Sequence, residues 1–172
     1  MMKPLACLAL VAAAASAAAA PPHEHGVAQL DVAVEAARVT LLLALPLDSL
    51  LGFEHAPRTD GEKSAADAAL ARLNAAATLF HIDPAAGCRP ARAELRSGTL
   101  ALGGAAPAKE GHDDLEASYE FACKDGFKAG FVETGLFEAF ARLQRVEVQA
   151  VTRKGQMKAT LRRPVGRLPL AR

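Results

Sequence analysis

Tryptophan is absent from this chain of 172 residues and tyrosine occurs once. That scarcity argues against a stacked-aromatic platform for carbohydrate or single-stranded nucleic acid. HExxH, GxSxG, a Gly-rich phosphate loop and CxxC are missing as well. With them go the signatures of zinc peptidases, α/β-hydrolases, P-loop nucleotide enzymes and thioredoxin-like redox proteins. Nothing in the residues argues for an enzyme. A charge excess of either sign is lacking too: the formal net charge is +1. Without a basic tract there is no electrostatic case for nucleic acid or anionic lipid as a partner. Past the first twenty residues, no apolar run is long enough to cross a bilayer.

What is present begins with "MMKPLACLALVAAAASAAAAPP". Lys3, the apolar stretch Leu5 to Val11 and the small residues after it follow the order of a secretory signal. The expectation is a signal peptide over residues 1–20 and a single exported domain over 21–172, placed in the periplasm. Cys7 would fit a lipoprotein site only poorly, since it precedes the completion of the apolar core. Cleavage removes Lys3 from the 20 basic residues, leaving 19 against 19 acidic ones. It also removes Cys7, so Cys88 and Cys123 remain. In an oxidising compartment two cysteines most simply form one disulfide, worth roughly 4 kcal/mol in the chain-entropy model. A zinc-thiolate site is the alternative, and the wide spacing and export count against it.

Hydrophobic periodicity then orders the chain. "VAQLDVAVE" alternates Leu30, Val32 and Val34 with Gln29, Asp31 and Glu35, a half-buried strand. "RVTLLLALP" has leucines on both faces and predicts a more central strand, ended by Pro46. Thr59 and Glu62 have capping-box spacing ahead of a helix with Ala66, Leu70, Leu73, Ala77 and Phe80 on one stripe. "HIDPAAGCRP" reads as loop, "ARAELRSGTLAL" and "LEASYEFACK" as strands, and "VETGLFEAFARL" as a short amphipathic helix or helical turn. Two strands follow around a turn at Lys154-Gly155. The order β-β-α-β-β-α-β-β predicts an α+β domain, an antiparallel sheet with two helices packed on one face.

Five histidines stand in the chain. In "PPHEHGVAQL", His23 and His25 are two apart, so in extended backbone both project to one side about 6.6 Å apart. Both can then reach one ion with Zn–N distances of about 2.1 Å; a solvated polar terminus is the competing explanation. "GHDD" sets His112 beside Asp113 and Asp114, a donor mixture suited to a borderline ion, or else a polar turn. "FEHAP" adds Glu54 and His55 on an irregular segment that Phe53 and Pro57 could equally hold for structural reasons. His81, after the stripe residue Phe80, fits a helix C-terminus and is not taken as a ligand.

Together "HEHGVAQLDVAVE", "LPLDSLLGFEHAPRTDGEK", "GHDDLEASYEFAC", "GLFEAFARLQRVEVQ" and "KGQMKATLRRP" resemble the ZrgA-like family of small bacterial periplasmic proteins linked to zinc limitation. The resemblance spans nearly the whole mature chain. It implies zinc as the bound ion, a role as accessory to zinc acquisition or buffering, and a zinc-transporter component as the partner served. Carried over by position, it implicates His23, His25, His55, His112 and Asp113 in metal binding. Family members often bear a long tract rich in His, Asp and Glu before the Tyr-x-Phe-x-Cys strand, whereas this chain has only "GGAAPAKEGHDD". The reading from a different class is an envelope interaction or assembly module, with metal incidental. Metal content after native purification separates the two.

Overall fold

Alternation along Val27–Val34 (β1) produces a strand with Leu30, Val32 and Val34 buried and Gln29 and Asp31 exposed. In the computed structural model, which describes residues 24–106 and 114–170, β1 turns back into Arg38–Pro46 (β2) as an antiparallel pair. On β2, Val39, Leu41, Leu43 and Leu45 are buried, whereas Leu42 is 50% exposed. The strand is central, as its leucine content predicts. Its outward face is nevertheless left open.

Three helices and one short strand follow β2 before the chain returns to the large sheet. Leu47–Leu51 (α1) is a single turn, and Asp60–Asn74 (α2) is the one long helix among the described residues. The capping box of α2 is formed: the Glu62 amide donates to Thr59 Oγ1 at 3.1 Å, and the Thr59 amide donates to Glu62 Oε2 at 3.1 Å. The predicted stripe holds for Ala66, Leu70 and Leu73, but the helix stops at Asn74. Ala76–Leu79 (α3) then makes one turn and Phe80–Ile82 (β3) is strand, so Ala77 is exposed and Phe80 is buried from a different element. Phe80 packs with its ring centroid 5.1 Å from that of Tyr119, whose hydroxyl donates to the Leu73 carbonyl at 2.9 Å. Burial of Tyr119 pushes its ionisation upward, keeping the phenol protonated as a donor.

Arg89–Arg96 (β4) and Asp114–Ala122 (β5) extend the sheet, with Leu115, Ala117, Tyr119 and Phe121 facing inward. Cys88 and Cys123 flank this pair and are covalently joined, S–S 2.06 Å. The segment expected to be a short amphipathic helix or helical turn is divided between Phe131–Thr134 (β6), a strand, and Leu136–Ala139 (α4), a single turn. Arg145–Thr152 (β7), Gly155–Arg162 (β8) and Arg167–Pro169 (β9) complete the described chain.

The expected α+β fold, an antiparallel sheet with two helices on one face, is therefore corrected. Among the described residues the protein is mostly β, with nine strands in two sheets. The larger has the order β4-β5-β2-β1-β7-β8, and the smaller is β3-β6-β9. The larger sheet is mixed because β1 and β7 run parallel, Val27 opposite Arg145 through Ala33 opposite Val151. A parallel pair needs a crossover rather than a hairpin; here the crossover carries β2 to β6 and all four helices. The inward residues of the larger sheet share one core with Leu47 of α1, Leu73 of α2, Leu79 of α3, Phe137 of α4, Val132 of β6 and Leu168 of β9. Among the described residues, no helix is long and apolar enough to cross a membrane.

Candidate metal site

The site begins with how the segment ahead of β1 is held. Gly26 has φ +77°, a left-handed conformation that a Cβ disfavours. Its amide donates to Ser49 Oγ at 2.7 Å, and its carbonyl accepts from Gln144 and Arg145 amides at 2.8 and 3.0 Å. Glu24 forms an ion pair with Arg145 at 2.7 Å. Backbone on both sides of His25 is thereby tied to α1 and to the start of β7.

So placed, His25 turns its imidazole towards α1. Nδ1 lies 3.0 Å from Asp48 Oδ2 and 3.9 Å from Glu54 Oε1. Asp48 stands in the first turn of α1, and Glu54 follows Gly52, which ends that helix at φ +86°. A Cβ on Gly52 would lie 2.8 Å from the Arg142 guanidinium. Both carboxylates are largely shielded, at 29% and 24% side-chain exposure, while His25 is 63% exposed. In the tautomer with the proton on Nδ1, that N–H donates to Asp48 Oδ2 and the lone pair is left on Nε2. That carboxylate–imidazole pairing is the usual way a metal-binding histidine is oriented and made more basic.

His55 is held differently. Its Nδ1 is 3.0 Å from the Ala56 carbonyl, its ring stacks on Phe53 with centroids 5.0 Å apart, and its Nε2 faces Glu62 Oε1 at 3.9 Å. Glu62 serves the N-terminus of α2, accepting from the Arg58 and Thr59 amides at 2.7 and 3.1 Å. Those two backbone hydrogen bonds hold its carboxyl below the ordinary glutamate range. The contacts of His55 and His25 thus involve different partners.

His23, His112 and Asp113 lie outside the described residues. Asp114, the next residue after Asp113, enters β5 opposite Pro46, two positions before Asp48. The start of β5, the end of β2 and α1 therefore meet at one end of the sheet, opposite the Cys88–Cys123 end. His81 directly follows Phe80, which caps the C-terminus of α3, and stands on β3 opposite Glu133, beside an open cleft with Arg72 and Glu138. Sequence reasoning missed Asp48, whose only signal was its place on the short turn after Pro46. Among the described residues, no group of three or more His, Cys, Asp or Glu is gathered to hold an ion by itself.

No curated protein matches the chain. The model of one protein family, described as ZrgA family zinc uptake protein, matches residues 22–170. That span takes in the whole described sheet and the corner around His25, and it gives the protein a role in zinc acquisition. The chain belongs to the ZrgA family of zinc uptake proteins.

Proposed function

We propose that the protein is a non-catalytic periplasmic zinc-binding accessory, taking zinc as cargo through His25 and handing it on or buffering it. The observation that carries this reading is the 3.0 Å contact of His25 Nδ1 with a shielded Asp48. It orients the ring, as carboxylate partners of metal-binding histidines do, on a side chain that is 63% exposed. Zinc prefers four ligands, so one histidine is insufficient. His23 is two residues away in the chain and His112 two residues before Asp114, so both fall within reach of this end of the sheet by connectivity. They are the donors proposed to complete the coordination, with Asp113 beside His112 and His55 held in reserve. Export through residues 1–20 supplies the compartment in which such cargo is captured.

Calorimetric titration of the purified protein with zinc at neutral pH tests the proposal. About one ion per chain is expected, and replacing both His23 and His25 by Ala should abolish tight binding. Neutral imidazole is the ligand form, so affinity should fall steeply between about pH 7 and about pH 5.5. Unchanged affinity and stoichiometry in the double variant would refute the reading.

A further inference from the structure

Near-neutral net charge conceals a segregation. All 19 acidic residues lie at or before Glu147, and none follows. The sequence beyond it carries Arg153, Lys154, Lys158, Arg162, Arg163, Arg167 and Arg172. This basic segment includes β8, one of the two edge strands of the larger sheet.

The two edges are built unlike each other. β4 has Pro90, a register shift between Pro90 and Arg92, and helices α2 and α3 packed beside it. Proline, bulges and covering elements are the usual means of preventing strand addition. β8 has no proline and no register shift, and among the described residues no strand pairs with its outer side between Gly155 and Leu161. Every second residue of such an edge turns its backbone N–H and C=O outward.

Its side chains also alternate in kind. Lys158 and Arg162 are exposed on the open face of the sheet. Met157 and Ala159, on the core face, are only partly buried. They line a groove shared with Leu161, Leu168 and Val165, the last 61% exposed. Arg163 is held by the Leu143 and Phe140 carbonyls at 3.1 and 2.8 Å and is not counted among the binding groups.

We infer that the β8 edge is a docking strand for an extended acidic segment of a partner protein, added as a seventh strand of the sheet. Backbone hydrogen bonds would supply affinity, as in other strand-addition complexes. Acidic side chains of the segment would face Lys158 and Arg162, and its alternate apolar side chains would lie beside Met157, Ala159 and Val165. A second copy of this chain fits worse, because it would set two basic edges against each other. The inference is independent of the zinc reading.

The probe is a labelled ten-residue peptide of alternating Glu and Val, titrated into the intact protein at moderate salt, with hydrogen exchange followed by residue. Binding should protect the amides of β8 and leave those of β4 unchanged. Lys158→Glu combined with Arg162→Glu, both at exposed positions, should weaken binding at least about tenfold. The neutralised pair Lys158→Gln and Arg162→Gln should give an intermediate loss, which guards against misfolding of the reversed variant. A peptide of the same charge interrupted by proline should also bind at least about tenfold more weakly. Equal binding of the proline peptide, protection on β4, self-association through β8, or binding to anionic phospholipid vesicles but not to the peptide would each overturn the inference.

Discussion

His25 and His55 both stand beside a glutamate or aspartate, close to the same short helix, yet the fold uses them in different ways. At the His25 corner a shielded carboxylate faces Nδ1 at 3.0 Å and the side chain is 63% exposed. At the His55 corner a backbone carbonyl faces Nδ1, an aromatic ring covers one face, and the nearby carboxylate is occupied in capping α2. Proximity of imidazole and carboxylate therefore says little about metal chemistry. What matters is which groups are already engaged in holding the backbone.

The largest effect expected to separate the corners is on zinc itself. His25→Ala should lower affinity by at least about 100-fold, beyond the 10–100-fold typical of losing an orienting partner. Asp48→Asn, which removes that partner's charge, should cost about 10-fold, while His55→Ala should stay within about threefold. Titration of the three variants under one buffer checks the order. A larger loss from His55→Ala than from His25→Ala would invert the comparison.

Next comes the backbone under each corner. Gly26→Ala forces a Cβ into a left-handed conformation, with the Arg142 carbonyl 3.3 Å away. A cost of about 1–2 kcal/mol in urea unfolding is expected. Gly61, in the first turn of α2, is neither in the left-handed region nor crowded, its nearest neighbour being Thr59 Oγ1 at 3.9 Å. Gly61→Ala should stabilise by up to about 1 kcal/mol, since alanine loses less backbone freedom in a helix. The two substitutions should therefore move the urea midpoint in opposite directions.

Much of this was legible in the sequence, and the failures have physical causes. Period-two alternation located β1 and β5, and the spacing of Thr59 and Glu62 located the start of α2, because those signals are local. The parallel partner of β1 was not legible: it begins at Arg145, and nothing near Val27 specifies it. The three-residue strands β3 and β9 are too short to show a period. Phe80 looked like the end of a helical stripe because it is apolar at the right spacing, although its burial comes from meeting Tyr119. At the site, the histidines were visible as residue types. Asp48 became visible only when β2 carried α1 beside the turn at Gly26.

A smaller stability effect belongs to the His55 corner. Thr59→Ala removes the hydroxyl that accepts from the Glu62 amide and should cost about 1 kcal/mol. Zinc affinity should be unchanged, because the cap acts on α2 and not on His25. A parallel loss of zinc binding would show that the two corners are one mechanical unit.

The smallest effect is in the pH dependence, and it uses the same cap. Backbone donors at Arg58 and Thr59 lower the folded-state pKa of Glu62. A carboxylate with a lowered folded pKa contributes stability that is complete above its unfolded value, about 4.3 for glutamate. That contribution is lost as pH falls through the lowered folded value. Asp83 is shifted in the same direction by the Ala85 and Gly130 amides, so acid destabilisation of the parent protein reports both groups. Comparing the parent with Glu62→Gln isolates the cap, because Asp83, on a separate element, is common to both. Urea midpoints at pH 7 and pH 5 should differ between the two proteins by a constant amount, with the variant less stable. Below about pH 4 the difference should shrink as the parent's carboxylate takes up its proton. A gap that stays constant down to pH 3 would mean that the Glu62 charge contributes nothing to the cap, leaving its shape as the whole effect.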